Sequence, residues 1–355
     1  MVIPASDNPM GTDGFEFVEY TAPDTKALGA LFESMGFSAV AKHRSKNVLL
    51  YKQGEINFIV NAEPDSFAQS FARVHGPSVC AFGIRVKDAA AAIKRAVGLG
   101  AKAYAGPVGP MELNIPAIQG IGGSLLYLID RYGPHSIYDV DFVPIAGTNP
   151  DTKGVGLKYV DHLTHNVYAG RMDVWAEFYR KLFNFREIRY FDIKGKMTGL
   201  TSRALTSPCG KIRIPINEPS DRKSQIQEYL DAYNGEGIQH IALACGDIYA
   251  TVEALRAKNV RFLATPDAYY ERVDARVPDH GEDLARLKRN RILIDGEGLD
   301  KERCEDKLLQ IFTETVIGPI FFEIIQRKGN EGFGEGNFRA LFESIEADQI
   351  ARGVI

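Results

Sequence analysis

Three short segments in the second half of the chain carry side chains that could bind a transition metal together. One segment contains His162 and His165, the second contains His240 and the third contains Glu323, and each has the apolar character of a β-strand. Two imidazoles and one carboxylate suit non-haem Fe(II), which leaves about three coordination positions for substrate and oxygen. Glu323 is the clearest signal, because a buried carboxylate is costly unless a cation or hydrogen bonds meet it. Taken singly, His240 could be a structural residue and Glu323 could pair with a buried arginine.

The first of these segments offers two histidines, of which only one can be a ligand. His162 and His165 are an odd number of residues apart, so on a regular strand their side chains point to opposite faces. The periodicity of the segment does not choose between them.

The two halves of the chain are distorted copies, and only the second copy carries the candidate ligands. Aligning the aspartates at positions 88 and 247, which precede helical patterns, sets Ala81 opposite His240. Aligning the arginines at positions 131 and 327 sets Tyr127 opposite Glu323. The counterpart of the histidine-bearing segment, residues 15–20, contains no histidine. We therefore predict a duplicated scaffold with a metal site in one copy. The remaining histidines are interpreted as surface or structural residues: His43, His75, His135 and His280.

The elements that must position these residues are short strands alternating with amphipathic helices. Residues 133–157 are rich in proline and glycine, which predicts a junction and two domains, 1–150 and 151–355. An insertion is predicted at about 267–299. At the end of the chain Asn337 is a candidate N-cap, followed by an apolar stripe of helical spacing at Phe338, Leu341, Phe342 and Ile345. The glycine-rich sequence before it would let this helix act as a gate, although a fixed terminal helix is the more common case.

Bulk composition excludes several classes of function. The 355 residues are 45% hydrophobic and 25% charged, which is ordinary for a globular protein, and the net charge of −4 argues against nucleic acid or an anionic membrane as partner. No apolar run reaches the roughly 20 residues that span a bilayer, and no secretion signal is evident. The four cysteines form no C-x-x-C pair, so we expect reduced thiols and a cytoplasmic protein.

Several segments together resemble one known family, 4-hydroxyphenylpyruvate dioxygenase, and in particular its bacterial members. The resemblance covers nearly the whole chain and is carried by these motifs: residues 161–167 (DHLTHNV), 237–240 (GIQH), 308–312 (LLQIF), 322–327 (FEIIQR) and 332–338 (GFGEGNF). It implies an α+β, vicinal-oxygen-chelate (glyoxalase/bleomycin-resistance-like) fold, with two tandem open barrels of paired βαβββ modules and a C-terminal gating helix. It also implies one Fe(II) per subunit, bound only by the second barrel.

The resemblance further implies a role for each site residue. The iron ligands would be His162, His240 and Glu323, so that His162 rather than His165 is chosen. The end of the pocket that receives the phenol would be lined by Ser202, Pro215, Asn217 and Gln225. The keto acid and ring would be positioned by Gln239 and Gln310 and surrounded by Phe312, Phe321, Phe333, Asn337 and Phe338.

The implied reaction is the conversion of 4-hydroxyphenylpyruvate and O2 to homogentisate and CO2 in tyrosine catabolism, by a homo-oligomer (tetramer or dimer). Three alternatives remain. A 4-hydroxymandelate synthase shares fold, iron and substrate, although Pro215 and Phe338 fit the dioxygenase pattern better. An extradiol ring-cleaving enzyme would act on catechols, and a metal-free binding protein would use the same barrels without catalysis.

Overall fold

A computed structural model describes residues 7–194, 198–296, 306–334, 336, 337, 339, 342, 346, 349, 350, 352 and 353. The strands of the first half form one sheet: β1 (Phe15–Thr21), β2 (Ser38–His43), β3 (Val48–Gln53), β4 (Ile56–Asn61), β5 (Ser78–Arg85), β6 (Ala103–Tyr104), β7 (Ala117–Gln119), β8 (Leu125–Ile129) and β9 (Phe142–Pro144). The strands of the second half form another: β10 (Leu157–Asn166), β11 (Arg186–Lys194), β12 (Gly199–Thr206), β13 (Arg213–Pro219), β14 (Gly237–Cys245), β15 (Leu293–Gly296), β16 (Lys307–Phe312) and β17 (Phe321–Lys328).

Helices connect these strands and cover the sheets. They are α1 (Thr25–Ser34), α2 (Phe67–His75), α3 (Ala89–Gly98), α4 (Tyr138–Asp141), α5 (Met172–Phe183), α6 (Gln225–Tyr233), α7 (Ile248–Ala257), α8 (Asp267–Tyr270), α9 (Val273–Arg276) and α10 (Leu284–Asn290). The carboxylates of Asp88 and Asp247 accept hydrogen bonds from backbone N–H groups in the first turns of α3 and α7. Both capping interactions satisfy donors that a helix start leaves unpaired. In the described part of the chain, no helix has the length and apolar character needed to cross a membrane.

The two sheets have the same strand order. Strands β6-β7-β8-β5-β1-β4-β3-β2 of the first sheet correspond one by one to β15-β16-β17-β14-β10-β13-β12-β11 of the second, and β9 extends the first sheet. Each half therefore consists of paired βαβββ modules, and the insertion before β15 carries α8, α9 and α10. The predicted α+β, vicinal-oxygen-chelate fold and its duplication are confirmed.

A continuous hydrophobic core joins the two halves. The ring of Phe58 on β4 stacks on that of Phe322 on β17, with centroids 6.0 Å apart. The side-chain oxygen of Gln53 accepts a hydrogen bond from the backbone N–H of Val155, in the predicted junction. One cluster of buried apolar residues contains members of both sheets. The two barrels thus share a core, and the division of the chain at residue 150 stays a prediction.

Candidate metal centre and its pocket

Strand register brings the candidate ligands together. On the central strand β14, Ala242 pairs with His162 of β10 on one side and with Glu323 of β17 on the other. His240 lies two residues before Ala242, so both project from the same face of β14. Because Ala242 ends at its methyl group, the side chains on either side of it can approach each other over the strand. Three adjacent strands therefore direct two imidazoles and one carboxylate into the barrel.

The distances between these groups suit a single metal ion. The Oε2 atom of Glu323 lies 3.2 Å from Nε2 of His162 and 3.4 Å from Nε2 of His240. Ligand atoms about 2.1 Å from an octahedral metal, in adjacent positions, would be about 3 Å apart. All three residues are buried, and their ligand atoms lie within 4.8 Å of one another. The spacing of the three side chains thus suits a two-histidine, one-carboxylate metal site.

The charge state of the site also suits a cation. Burial works to raise the pKa of Glu323, but the neighbouring imidazoles of His162 and His240 outweigh it and hold this pKa at about 2. Burial lowers the pKa of His240, which favours the neutral imidazole that ligates a metal. For His162 burial also acts to lower the pKa, yet the carboxylates of Glu323 and Asp161 raise it overall. A buried carboxylate that stays ionised beside two imidazoles is the donor set of a divalent metal.

Each imidazole is held by a hydrogen bond at the nitrogen that faces away from Glu323. His162 donates from Nδ1 to Asp161 (2.9 Å), and this carboxylate also accepts two bonds of 2.8 Å from Arg327. His240 donates from Nδ1 to the side-chain oxygen of Gln239 (3.0 Å). Such outer partners fix the ring orientation and direct Nε2 of each histidine toward Glu323. Gln239 therefore orients His240 in this structure, and its predicted contact with substrate stays a prediction.

The structure also separates the two histidines that periodicity left unresolved. His165 is fully buried away from the ligand cluster, with its Nε2 atom 2.7 Å from the hydroxyl of Tyr179. Burial lowers the pKa of His165 to about 3, so its ring stays neutral. His162 and His165 thus face opposite sides of β10, and His162 is the one beside Glu323.

A small cavity adjoins the three candidate ligands. Its volume is about 30 Å³, enough for a water-sized guest but not for an aromatic 2-oxo acid. Besides the ligands, it is lined by Thr164, Phe191, Ser202, Pro215, Gln310, Phe312 and Phe333. Five of the residues predicted for the substrate pocket are therefore present: Ser202, Pro215, Gln310, Phe312 and Phe333.

The other predicted pocket residues, as far as the structure describes them, lie outside this lining. Phe321 stacks on His240 at a centroid distance of 4.9 Å. Asn217 of β13 donates to the side chain of Asn166 (3.3 Å), and Gln225 is buried at the start of α6. Phe338 is not among the described residues, and neither is most of the predicted gating helix, including positions 341 and 345.

Asn337 has a different role from the predicted N-cap. Gly336 and Asn337 are already helical, so the helix does not begin after Asn337. Its amide instead donates to Gln310 (3.0 Å), and its oxygen accepts from Tyr269 (2.7 Å). Gln310 in turn donates to Glu323 (2.7 Å). Hydrogen bonds therefore connect the C-terminal segment to a candidate ligand.

Sequence reasoning missed several residues of the site. Thr164 shares a face with His162 and lies 2.9 Å from Nε2 of His240, a position that strand periodicity could have identified. Asp161 and Arg327 stand in the resembling motifs, but they are 166 residues apart, and no local pattern pairs them. Phe191 lines the cavity from β11 without any sequence signal.

Comparisons with known proteins agree with the geometry. Residues 6–143 match the family described as hydroxyphenylpyruvate dioxygenase, N-terminal, and residues 159–277 match the glyoxalase/bleomycin resistance protein/dioxygenase superfamily. The chain is 61% identical to a 4-hydroxyphenylpyruvate dioxygenase of Pseudomonas aeruginosa, covering 98% of this chain and 97% of that one. It is 64% identical to hemolysin VllY of Vibrio vulnificus, covering 98% of each. A solved mutant of 4-hydroxymandelate synthase from Streptomyces coelicolor has a TM-score of 0.83 at 25% identity, covering 96% of this chain and all of that one.

Proposed function

This chain belongs to the 4-hydroxyphenylpyruvate dioxygenase family, and we propose that it converts 4-hydroxyphenylpyruvate and O2 to homogentisate and CO2 with bound Fe(II). The observation that supports this most directly is the buried cluster of His162, His240 and Glu323 on three adjacent strands. The family is one of dioxygenases, and this donor set with three open positions is the one that non-haem Fe(II) oxygenases use. The metal-free binding protein is disfavoured because it would have no use for an ionised carboxylate buried between two imidazoles.

Iron at this site would supply the redox chemistry that couples decarboxylation of a 2-oxo acid to hydroxylation of the ring. The protein contributes position and exclusion of water. Phe312 and Phe333 present apolar surfaces beside the ligands, and Gln310 holds Glu323 through its amide. A dry pocket protects reactive species from side reactions, and an amide orients polar groups without exchanging a proton easily. The finer roles of Ser202 and Pro215 toward the phenol remain part of the proposal.

Substrate entry would require the C-terminal segment to move. The cavity of about 30 Å³ is lined in part by Phe333, and the neighbouring carbonyl of Gly332 accepts a hydrogen bond from Arg327. Arg327 also binds Asp161, the partner of His162. We infer that the segment acts as a gate whose closed position is fixed by the same arginine that supports the metal site.

A second candidate function is 4-hydroxymandelate synthesis, because the synthase has the same fold over nearly the whole chain. The two reactions share substrate and metal and differ in the carbon that is hydroxylated. Extradiol cleavage is less well supported, since it would act on catechols without a 2-oxo acid.

Aerobic incubation of the purified, Fe(II)-loaded protein with 4-hydroxyphenylpyruvate tests the proposal. Homogentisate as the main product supports it, whereas 4-hydroxymandelate would establish the synthase. Catechols should give no yellow ring-opened product. Failure to consume 4-hydroxyphenylpyruvate despite bound iron would refute both functions.

Matched ligand variants test the metal site separately. We expect His240→Ala and Glu323→Ala to lose iron and turnover while the fold survives, because the first barrel folds with Ala81 and Tyr127 at the corresponding positions. Iron content measures metal binding, circular dichroism measures folding, and product yield measures turnover. Full iron content and activity in either variant would contradict the assignment of ligands.

The resemblance also supports three broader proposals. We propose a role in tyrosine catabolism, a location in the cytoplasm and a homo-oligomer, either a tetramer or a dimer. Measurement of molar mass in solution would test the last of these.

A further inference from the structure

The first barrel contains a cavity at the position that corresponds to the metal centre. There Gly83 on β5 pairs with Phe17 on one side and with Tyr127 on the other, as Ala242 pairs with His162 and Glu323 in the second barrel. The rings of Phe17 and Tyr127 lie 5.7 Å apart where the second barrel has an imidazole and a carboxylate. Phe17, Gly83 and Tyr127 do not provide the two imidazoles and carboxylate of the second barrel. Their side chains nevertheless leave part of the interior of the first barrel unfilled.

The cavity beside these rings has a volume of about 180 Å³. A cavity of about 150 Å³ in a protein core is large enough to hold benzene. The lining includes the rings of Phe17, Tyr104, Tyr127 and Phe142 together with Glu19. Aromatic rings around a buried carboxylate are the combination that recognises organic cations, because the ring faces and the carboxylate both carry negative potential.

Among the residues that the structure describes, charge pairing around the cavity leaves the carboxylate of Glu19 without an ion-pair partner. Lys46, at the mouth, binds Glu112 at 2.7 Å. Asp141 lies 3.8 Å from Arg44. In the described part of the chain, no lysine, arginine or histidine nitrogen lies within 4.0 Å of the Glu19 carboxylate, a distance that would define an ion pair.

Glu19 is nevertheless held toward the cavity by the protein. It is only 8% exposed, and one of its oxygens accepts a hydrogen bond from the Asn61 amide at 2.8 Å. Burial raises the pKa of Glu19, because the hydrogen bonds from Asn61 and Cys80 and the positive charge of Lys46 do not compensate for lost hydration. Burial also lowers the pKa of His43, another residue of the cavity lining, so that its imidazole does not supply the missing positive charge. A bound cation would satisfy the carboxylate.

We propose that this cavity binds a primary ammonium ion that carries a single aromatic ring, with the ammonium at Glu19. The volume admits one ring with a short side chain, and the aromatic lining would enclose it. The ammonium would donate to the Glu19 carboxylate, which already accepts a hydrogen bond from the Asn61 amide. This site lies in the first barrel and does not depend on the reaction proposed for the second.

Calorimetric titration of the full-length, iron-loaded protein with 2-phenylethylammonium tests the proposal. We expect saturable binding of one equivalent in the millimolar range or tighter. The neutral analogue 2-phenylethanol and the anion phenylacetate should bind about tenfold more weakly or worse, since a hydrogen bond to a charged group contributes that much or more. No saturable binding of the ammonium, or equal affinity for all three probes, would overturn the proposal.

Two matched variants locate the binding site. Glu19→Gln keeps the shape of the side chain and should weaken binding of the ammonium about tenfold or more, while 2-phenylethanol is unaffected. Glu323→Gln removes the buried carboxylate of the second barrel and should leave ammonium binding unchanged when it and the unaltered protein are both titrated without iron. The reverse pattern would place the ligand in the second barrel and overturn the proposal. If Glu19→Gln does not fold, Glu19→Asp keeps the charge but withdraws it from the cavity and should also weaken binding, and unchanged affinity would contradict the assignment.

Discussion

Replacing Asp161 with asparagine would test how the outer partners of the metal centre act. The Asp161 carboxylate accepts one hydrogen bond from His162 and two from Arg327, all between 2.8 and 2.9 Å, and it is completely buried. Asparagine has the same shape but carries one acceptor oxygen and one donor amide. At least one N–H of Arg327 or His162 would then face another donor, and the buried guanidinium would lose its counter-charge.

Two separate losses follow from this geometry. Removing an outer partner of a ligating histidine lowers metal affinity about 10- to 100-fold, which corresponds to about 1.4 to 2.7 kcal/mol. Leaving a buried ion without its partner lowers the free energy of unfolding by about 3 to 5 kcal/mol. Arg327 is almost fully buried here, so we expect the second loss near that range.

The first barrel offers a matched control. Glu16 precedes Phe17 as Asp161 precedes His162, and Glu16 accepts a hydrogen bond of 2.6 Å from Arg85. Glu16→Gln should therefore reduce stability through the same kind of broken ion pair but leave iron affinity unchanged. Urea unfolding of the metal-free proteins measures the stability loss, and competition with a chelator measures iron affinity.

The reasoning would be refuted if Asp161→Asn kept the iron affinity of the unaltered protein within about twofold, well inside the range expected for an outer partner. Asp161 would then contribute only to stability. Equal losses of iron affinity in Asp161→Asn and Glu16→Gln would also contradict it, since they would reflect general destabilisation.

Three further perturbations test other parts of the structure. Ala242→Val should prevent iron binding with all three ligands intact, because two added methyl groups would occupy the gap over β14. The control Ala244→Val, at the next position on the same face of β14, should retain iron. Analysis of the metal content of both variants distinguishes these outcomes. Burial lowers the pKa of His165 from 6.5 to about 3. Between these pH values the unfolded chain therefore binds more protons than the folded one, so the free energy of unfolding falls as the pH falls. The loss is about 2 kcal/mol at about pH 5. His165→Gln should remove that contribution, and an unchanged pH dependence of the urea midpoint would contradict it. Truncation after Gly332 should abolish turnover but leave iron bound, since it removes the Phe333 cap and no candidate ligand, and normal turnover would exclude a gate.

Much of the fold can be inferred from local patterns. The duplication is evident because capping aspartates at positions 88 and 247 begin equivalent helices, and short-range rules of capping do not depend on the rest of the chain. The alignments that set Ala81 against His240 and Tyr127 against Glu323 agree with the observed strand pairings. A carboxylate in an apolar strand likewise indicates an unusual site from the sequence alone, because its burial is costly.

Other features are decided by contacts between distant parts of the chain. Periodicity shows that His162 and His165 face opposite ways, but only the barrel determines which face is its interior. Asn337 is of a residue type that commonly caps helices, yet its side-chain amide donates a hydrogen bond to Gln310 instead.

The sequence by itself determined the repeated modules, the strand faces and the residue types able to bind a metal, because these depend on neighbours a few positions apart. The tertiary structure alone decided that Arg327 supports Asp161 across 166 residues and that Ala242 leaves a gap between two ligands. It also decided that Glu19 faces a cavity in which none of the described residues forms an ion pair with it. Distances across a barrel depend on the register of several strands at once, and no local stretch of sequence encodes that register.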